Sequence, residues 1–227
     1  SMSSTIKSNR IKGIMFIIAS ALGFAMMSAF VKLAGDLPSF QKVFFRNLVS
    51  AIIAFWLIIK HKGSLTGKKE NLKVLLYRSI FGTLGVIFNY YAIDKLMLSD
   101  ANMLNKMSPF LVVIFCAIAL KEKINVKQIG AIIIAFIGAL FIIKPTFSVE
   151  VIPYLGGIAG AVFAAMAYTC LRVLGDREDY YTIVFFFSVF SLVTVGPIAF
   201  AVYEPMTLMQ LIYLLLGGVF ASLGQFG

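Results

Sequence analysis

The sequence predicts an all-α polytopic membrane protein built as an inverted repeat of five-helix units, and three observations carry that prediction. Of 227 residues, 60% are hydrophobic and 13% charged, whereas about a quarter of a soluble domain is charged; the mean hydropathy is +0.95. The apolar residues gather in eight runs of about 20, the length that crosses a bilayer core, joined by connections too short to hold a soluble domain. The chain also matches itself weakly at a shift of 140 residues, a distance that contains five runs.

The runs are 13–34, 43–59, 74–93, 99–120, 124–143, 154–174, 181–203 and 208 onward. The first follows Lys7, Arg10 and Lys12 much as a signal peptide would, but it exceeds the roughly 7–15 residues of a signal core and is expected to stay as a membrane helix. Ser1 reads as a tag remnant ahead of Met2. Lys32 and Arg46 bracket the connection between the first two runs, where they serve either as interfacial anchors or as a cationic vestibule. In the third run Arg78, Gly82, Gly85 and Asn89 share a face at i, i+4, i+7 and i+11, followed by Tyr90 and Tyr91. Arg78, near the run's beginning, is expected to snorkel to the surface.

The fourth run is the most informative. Asn102, Asn105, Lys106 and Pro109 fall at i, i+3, i+4 and i+7, which on a continuous helix makes one polar stripe. A lysine near mid-bilayer costs roughly 3 kcal/mol on insertion scales, so the stripe is expected to face a bundle interior or a water-filled cavity. The competing reading has the asparagines bonding between helices and Lys106 snorkelling. Pro109 removes a backbone donor and is expected to kink the helix. The fifth run carries Ala131, Ala135, Gly138 and Ala139, and the sixth Gly156, Gly157, Gly160 and Ala164, both assigned to close helix packing. Tyr168 in the sixth run and Gln225 in the eighth join Lys106, Asn102, Asn105, Asn89 and Tyr90 as candidate substrate-binding residues.

Lysines and arginines order the connections. Thirteen lie on the side of the amino terminus and three, Lys42, Lys95 and Lys144, on the other, which predicts a cytoplasmic amino terminus in a plasma or inner membrane. The 140-residue shift lays Lys32, Gly35 and Asp36 on Arg172, Gly175 and Asp176, and a shift of 139 lays Phe81, Leu84 and Gly85 on Phe220, Leu223 and Gly224. An odd number of helices per unit inserts the second copy upside down. By that symmetry the second copy extends to roughly residue 282, so about 55 residues are expected beyond Gly227.

The net charge of +10 sits in short loops between apolar runs, where it sets topology, so nucleic acid is not an expected partner. His61 is the one histidine, Cys116 and Cys170 lie within apolar runs, and neither a metal cluster, a cofactor site nor an enzyme's nucleophile and base can be drawn from them. The expected partners are the lipid bilayer and a small-molecule substrate, with a monomer or a homodimer as the assembly.

Residues 88–142, with Pro109 in the fourth run, Glu122 closing it and Gly130 and Gly138 in the fifth, resemble the end of a repeat of an EamA-type transporter of the drug/metabolite transporter superfamily. Phe44, Phe45 and Arg46 are similar to the start of that family's second helix. The resemblance implies ten helices in two inverted repeats, here residues 3–147 and 148–227, with the second interrupted in its third helix. It also implies a cavity built by helices 1, 3, 4, 6, 8 and 9 and transport of small metabolites. Phe186 stands where internal symmetry would place a second arginine.

The apolar runs hold cations and amides, but the acids Asp36, Asp94, Asp100, Asp176, Glu122, Glu150 and Glu204 fall in loops or at run ends. A carboxylate on the substrate would match Lys106 and the asparagine amides. The expected function is therefore secondary-active transport, by alternating access, of amphipathic metabolites with an anionic group, amino acids foremost and export the expected direction. The same distribution argues against a proton relay through a buried carboxylate. Multidrug efflux is the alternative within transporters and would want an embedded glutamate; a channel or receptor is the alternative outside them.

Overall fold

The computed structural model describes residues 2–143 and 151–226. These form nine α-helices: α1 (Met2–Leu33), α2 (Ser39–His61), α3 (Leu72–Lys95), α4 (Leu98–Asn105), α5 (Ser108–Ala119), α6 (Val126–Ile143), α7 (Ile152–Leu174), α8 (Tyr180–Ala201) and α9 (Leu208–Phe226). Lys144, Glu150 and the boundary between residues 147 and 148 lie outside the described residues. Among the described residues seven helical segments are long and apolar enough to cross a membrane, with α4 and α5 counting together as one, and α6 is a shorter apolar helix. Lipid satisfies no backbone polar group, so continuous helices are the form such segments must take.

The fourth apolar run does not form one helix. Pro109 cannot donate to the carbonyl of Asn105, and its ring crowds that turn. The chain breaks at Lys106–Met107, where the Met107 amide bonds the Leu104 carbonyl at 3.1 Å in place of a full α-helical turn. The single stripe drawn through Asn102, Asn105, Lys106 and Pro109 is therefore divided: the asparagines belong to α4, Lys106 to the break, and Pro109 to the first turn of α5.

Three helix pairings build the bundle: α3 lies along α7, α1 along α9 and α2 along α8, while α5 packs on α7 and α6 on α4 and α5. Small residues permit the close approaches. A Cβ added to Gly160 would meet the Asn89 amide nitrogen at 3.0 Å, and one on Gly23 would meet the Phe220 carbonyl oxygen at 2.9 Å. The α6 glycines are different. Among the described residues nothing lies within 4 Å of a Cβ built on Gly130 or Gly138, so the packing role expected of Gly138 finds no partner helix there.

The main core gathers Met27 and Val31 of α1, Tyr90 and Ile93 of α3, Leu104 of α4 and Ala161 and Ala165 of α7. Ile14, Ile17, Ile133 and Phe141 stay exposed on the outside, which is where a bundle in lipid carries its apolar side chains.

Candidate functional site

A cavity of about 490 Å³ runs between the helices, walled by α1, α2, α3, α4, α7, α8 and α9. That volume is within the range that holds a drug-sized molecule. All seven residues proposed from the sequence as substrate-binding line it: Asn89 and Tyr90 from α3, Asn102 and Asn105 from α4, Lys106 from the break, Tyr168 from α7 and Gln225 from α9. Helix breaks at membrane depth are tolerated where they border a cavity rather than lipid, and the Lys106–Met107 interruption is so placed. Asn102 also accepts a hydrogen bond from Ser28 of α1 at 3.0 Å, which ties α4 to the opposite wall.

Arg46 and Arg78 line the same cavity. They are 4% and 7% exposed, so the expectation that Arg78 snorkels fails. Its guanidinium lies inward, over the ring of Phe187 with 4.4 Å from its carbon to the ring centroid, and Arg46 approaches the same ring at 5.9 Å. Room for this comes from Gly82, one turn further along α3, because a side chain there would collide with the Arg78 guanidinium. Snorkelling requires a free path to the interface; the α8 aromatic and the missing Cβ offer an inward path instead.

The two vestibule candidates separate. Arg46 faces the cavity, whereas the Lys32 ammonium donates to the carbonyls of Ile93 and Leu96 at 2.8 Å each and so caps the end of α3. Lys42, counted above as a topology-setting loop lysine, is fully buried in the first turn of α2. It forms an ion pair with Asp94 and donates to the carbonyls of Val31 and Gly35. Asp94, placed by the sequence at a run end, also accepts from Ser39 at 3.0 Å. It is thus a partly buried member of a network, not a solvated loop acid.

Both ends of the bundle are laced. Near α2's start the Gln41 side chain bonds the Glu204 backbone in both directions at 3.0 Å, and Gln210 donates to the Ala34 carbonyl at 3.0 Å. At the other end Glu178 accepts from the Lys68 amide at 3.0 Å and Thr182 donates to the Ser64 carbonyl at 2.7 Å.

The electrostatics of the cavity are one-sided. Among the described residues its lining includes Arg46, Arg78 and Lys106 and no aspartate or glutamate. Among the described residues, three buried polar atoms of lining residues have no hydrogen-bond partner: Arg46 Nε, Arg78 Nε and Gln225 Oε1. Buried polar groups are rarely left unpaired, and each such group wants a ligand or water. Sequence reading missed Arg78 and Phe187 as lining residues. The shared face of Arg78, Gly82 and Asn89 was the signal for the first; Phe187 gave none, being one of three consecutive phenylalanines.

A many-helix bundle in lipid, enclosing a cavity lined by polar groups from both ends of the chain, defines an integral membrane protein of the solute-carrier kind. Residues 11–144 match the EamA-like transporter family, and the chain belongs to that family; it is a membrane transporter. It is 32% identical over 216 residues to the pseudopaline exporter CntI of Pseudomonas aeruginosa, covering 94% of this chain and 75% of that protein. It is 27% identical over 194 residues to human solute carrier family 35 member G1, covering 80% of this chain and 53% of that one. A crystal structure that is 15% identical superimposes with a TM-score of 0.66 over 93% of this chain and 76% of its own, which shows the shared fold.

Proposed function

We propose that this transporter exports small amphipathic metabolites bearing an anionic group, amino acids or related compounds, across the plasma membrane by secondary-active alternating access. The observation that carries the reading is the cavity lining, which among the described residues holds three cations, no carboxylate, and the Nε donors of two buried arginines without acceptors. An anion entering it would supply the missing counter-charge, and the amides of Asn89, Asn102 and Asn105 would donate to its oxygens. Export agrees with the name of the pseudopaline exporter. Multidrug efflux of cations finds no acidic partner among the described lining residues.

Alternating access needs two halves that rock about a site between them. We assign these to residues 3–147 and 148–227, inserted in opposite senses, with the amino terminus cytoplasmic. The helix pairings support this assignment, because exchanging α1 with α7, α2 with α8 and α3 with α9 turns the α3·α7 contact into α9·α1 and leaves α2·α8 as itself. The test is a solute panel on the protein in liposomes, with Lys106→Ala and Asn102→Ala beside the wild type. Loss of one charge-assisted contact, worth about 1.5–3 kcal/mol, lowers transport of anionic solutes tenfold or more in the lysine variant, with a smaller loss for the asparagine. Unchanged rates in both variants would refute this site.

A further inference from the structure

We infer that the cavity holds two separate anion subsites, so that its preferred substrates carry two acidic groups. This rests on the reading of the cavity as the substrate's. The first subsite is the Lys106 and asparagine cluster at the break between α4 and α5. The second is the pair Arg46 and Arg78, contributed by α2 and α3 and set against Phe187 of α8.

Arg46 and Arg78 are both buried and line the cavity. Neither has an acidic partner: the ion pairs among the described residues are Lys42 with Asp94 and Arg172 with Glu122. Arg46 spends one nitrogen on the Asn47 side-chain oxygen at 2.8 Å, and the Nε atoms of both arginines are left without an acceptor. Two like charges sharing one aromatic ring repel each other, and in a membrane interior water screens them little. An oxyanion lying against the ring edge would relieve that repulsion and accept from both forks at once. The glycine at position 82 keeps the Arg78 guanidinium inside, where a side chain would force it away. A ligand with one acidic group satisfies either this pair or Lys106; one with two satisfies both, because the subsites arise from different walls.

Size-matched solute pairs measured in liposomes with the full protein test this: glutamate against glutamine, aspartate against asparagine, and succinate against butyrate. The wild type is expected to favour the doubly acidic member at least tenfold in transport efficiency. Arg78→Gln and Arg46→Gln are each expected to bring that ratio toward one, with Arg78→Lys, which keeps the charge and loses the fork, in between. Lys106→Ala is expected to lower transport of both members. A wild-type ratio near one overturns the second subsite with no variant needed, as does a ratio unchanged in both glutamine variants. Transport of cationic solutes with neither member of any pair carried overturns the underlying reading of an anion cavity, an outcome distinct from equal transport of both members.

Discussion

Lys42 and Asp94 meet where the first three helices converge, and the pair shows how a single side chain can set a packing geometry. The ammonium reaches Asp94 and two carbonyls at the end of α1, so all three of its protons are used. Removing one member of a buried pair strands the other and costs several kcal/mol. Lys42→Met is therefore expected to destabilise the detergent-solubilised protein by on the order of 3 kcal/mol, read as a fall in its thermal melting midpoint. The Lys42→Met, Asp94→Leu double variant is expected to lose less than the two single losses together, because neither charge is then left alone. A lysine near a run end usually means topology; this one is structural, and only its neighbours tell the two apart.

Helix contacts turn on where a Cβ can be tolerated. Gly160 of α7 and Gly85 of α3 face each other's backbones, with a Cβ on Gly85 meeting the Ala164 amide nitrogen at 3.0 Å. Gly160→Val is expected to force α3 and α7 apart and lower stability by about 1–3 kcal/mol, the usual cost of overpacking, with transport falling as the cavity wall shifts. Gly138→Ala is the contrasting variant. Its Cβ would meet open space, and alanine is the better helix former by about 1 kcal/mol, so melting is expected to be unchanged or slightly higher. Both glycines sit in small-residue patterns of the same appearance in sequence. What separates them is whether another helix stands opposite, and the pattern of small residues does not contain that fact.

Across the whole molecule, positions related by the sequence shifts make paired contacts, in keeping with the proposed repeat. Gly85 and Gly224, related by the 139-residue shift, both lie at close approaches: a Cβ on Gly85 would meet the Ala164 amide nitrogen of α7 at 3.0 Å, and one on Gly224 the Phe24 ring of α1 at 2.9 Å. Ser20, which the 140-residue shift lays on Gly160, donates to the Gly224 carbonyl at 2.8 Å. Two buried hydroxyl pairs join the corresponding helices, Thr83 of α3 with Ser191 of α8, and Ser222 of α9 with Ser50 of α2 at 2.9 Å. Sidedness is a property of the molecule in its membrane. In a variant lacking Cys116 and Cys170, Thr66→Cys is expected to label with an impermeant maleimide only after the cytoplasmic face is opened, and Glu204→Cys in intact cells. The reverse pattern would invert the proposed topology.

Composition and hydrophobic run length determined that this chain is a helical membrane protein, because each span must satisfy its own backbone in lipid and so announces itself locally. The amides and Lys106 that border the cavity were legible too, since such a group kept in an apolar run is costly enough to stand out, whereas Arg78 was not. The direction in which each cation points was decided only by the tertiary structure. Lys32 turns to the end of α3, Lys42 to Asp94, and Arg46 and Arg78 to Phe187. A long cationic side chain settles wherever a partner of low energy lies within its reach, and that partner belongs to another helix.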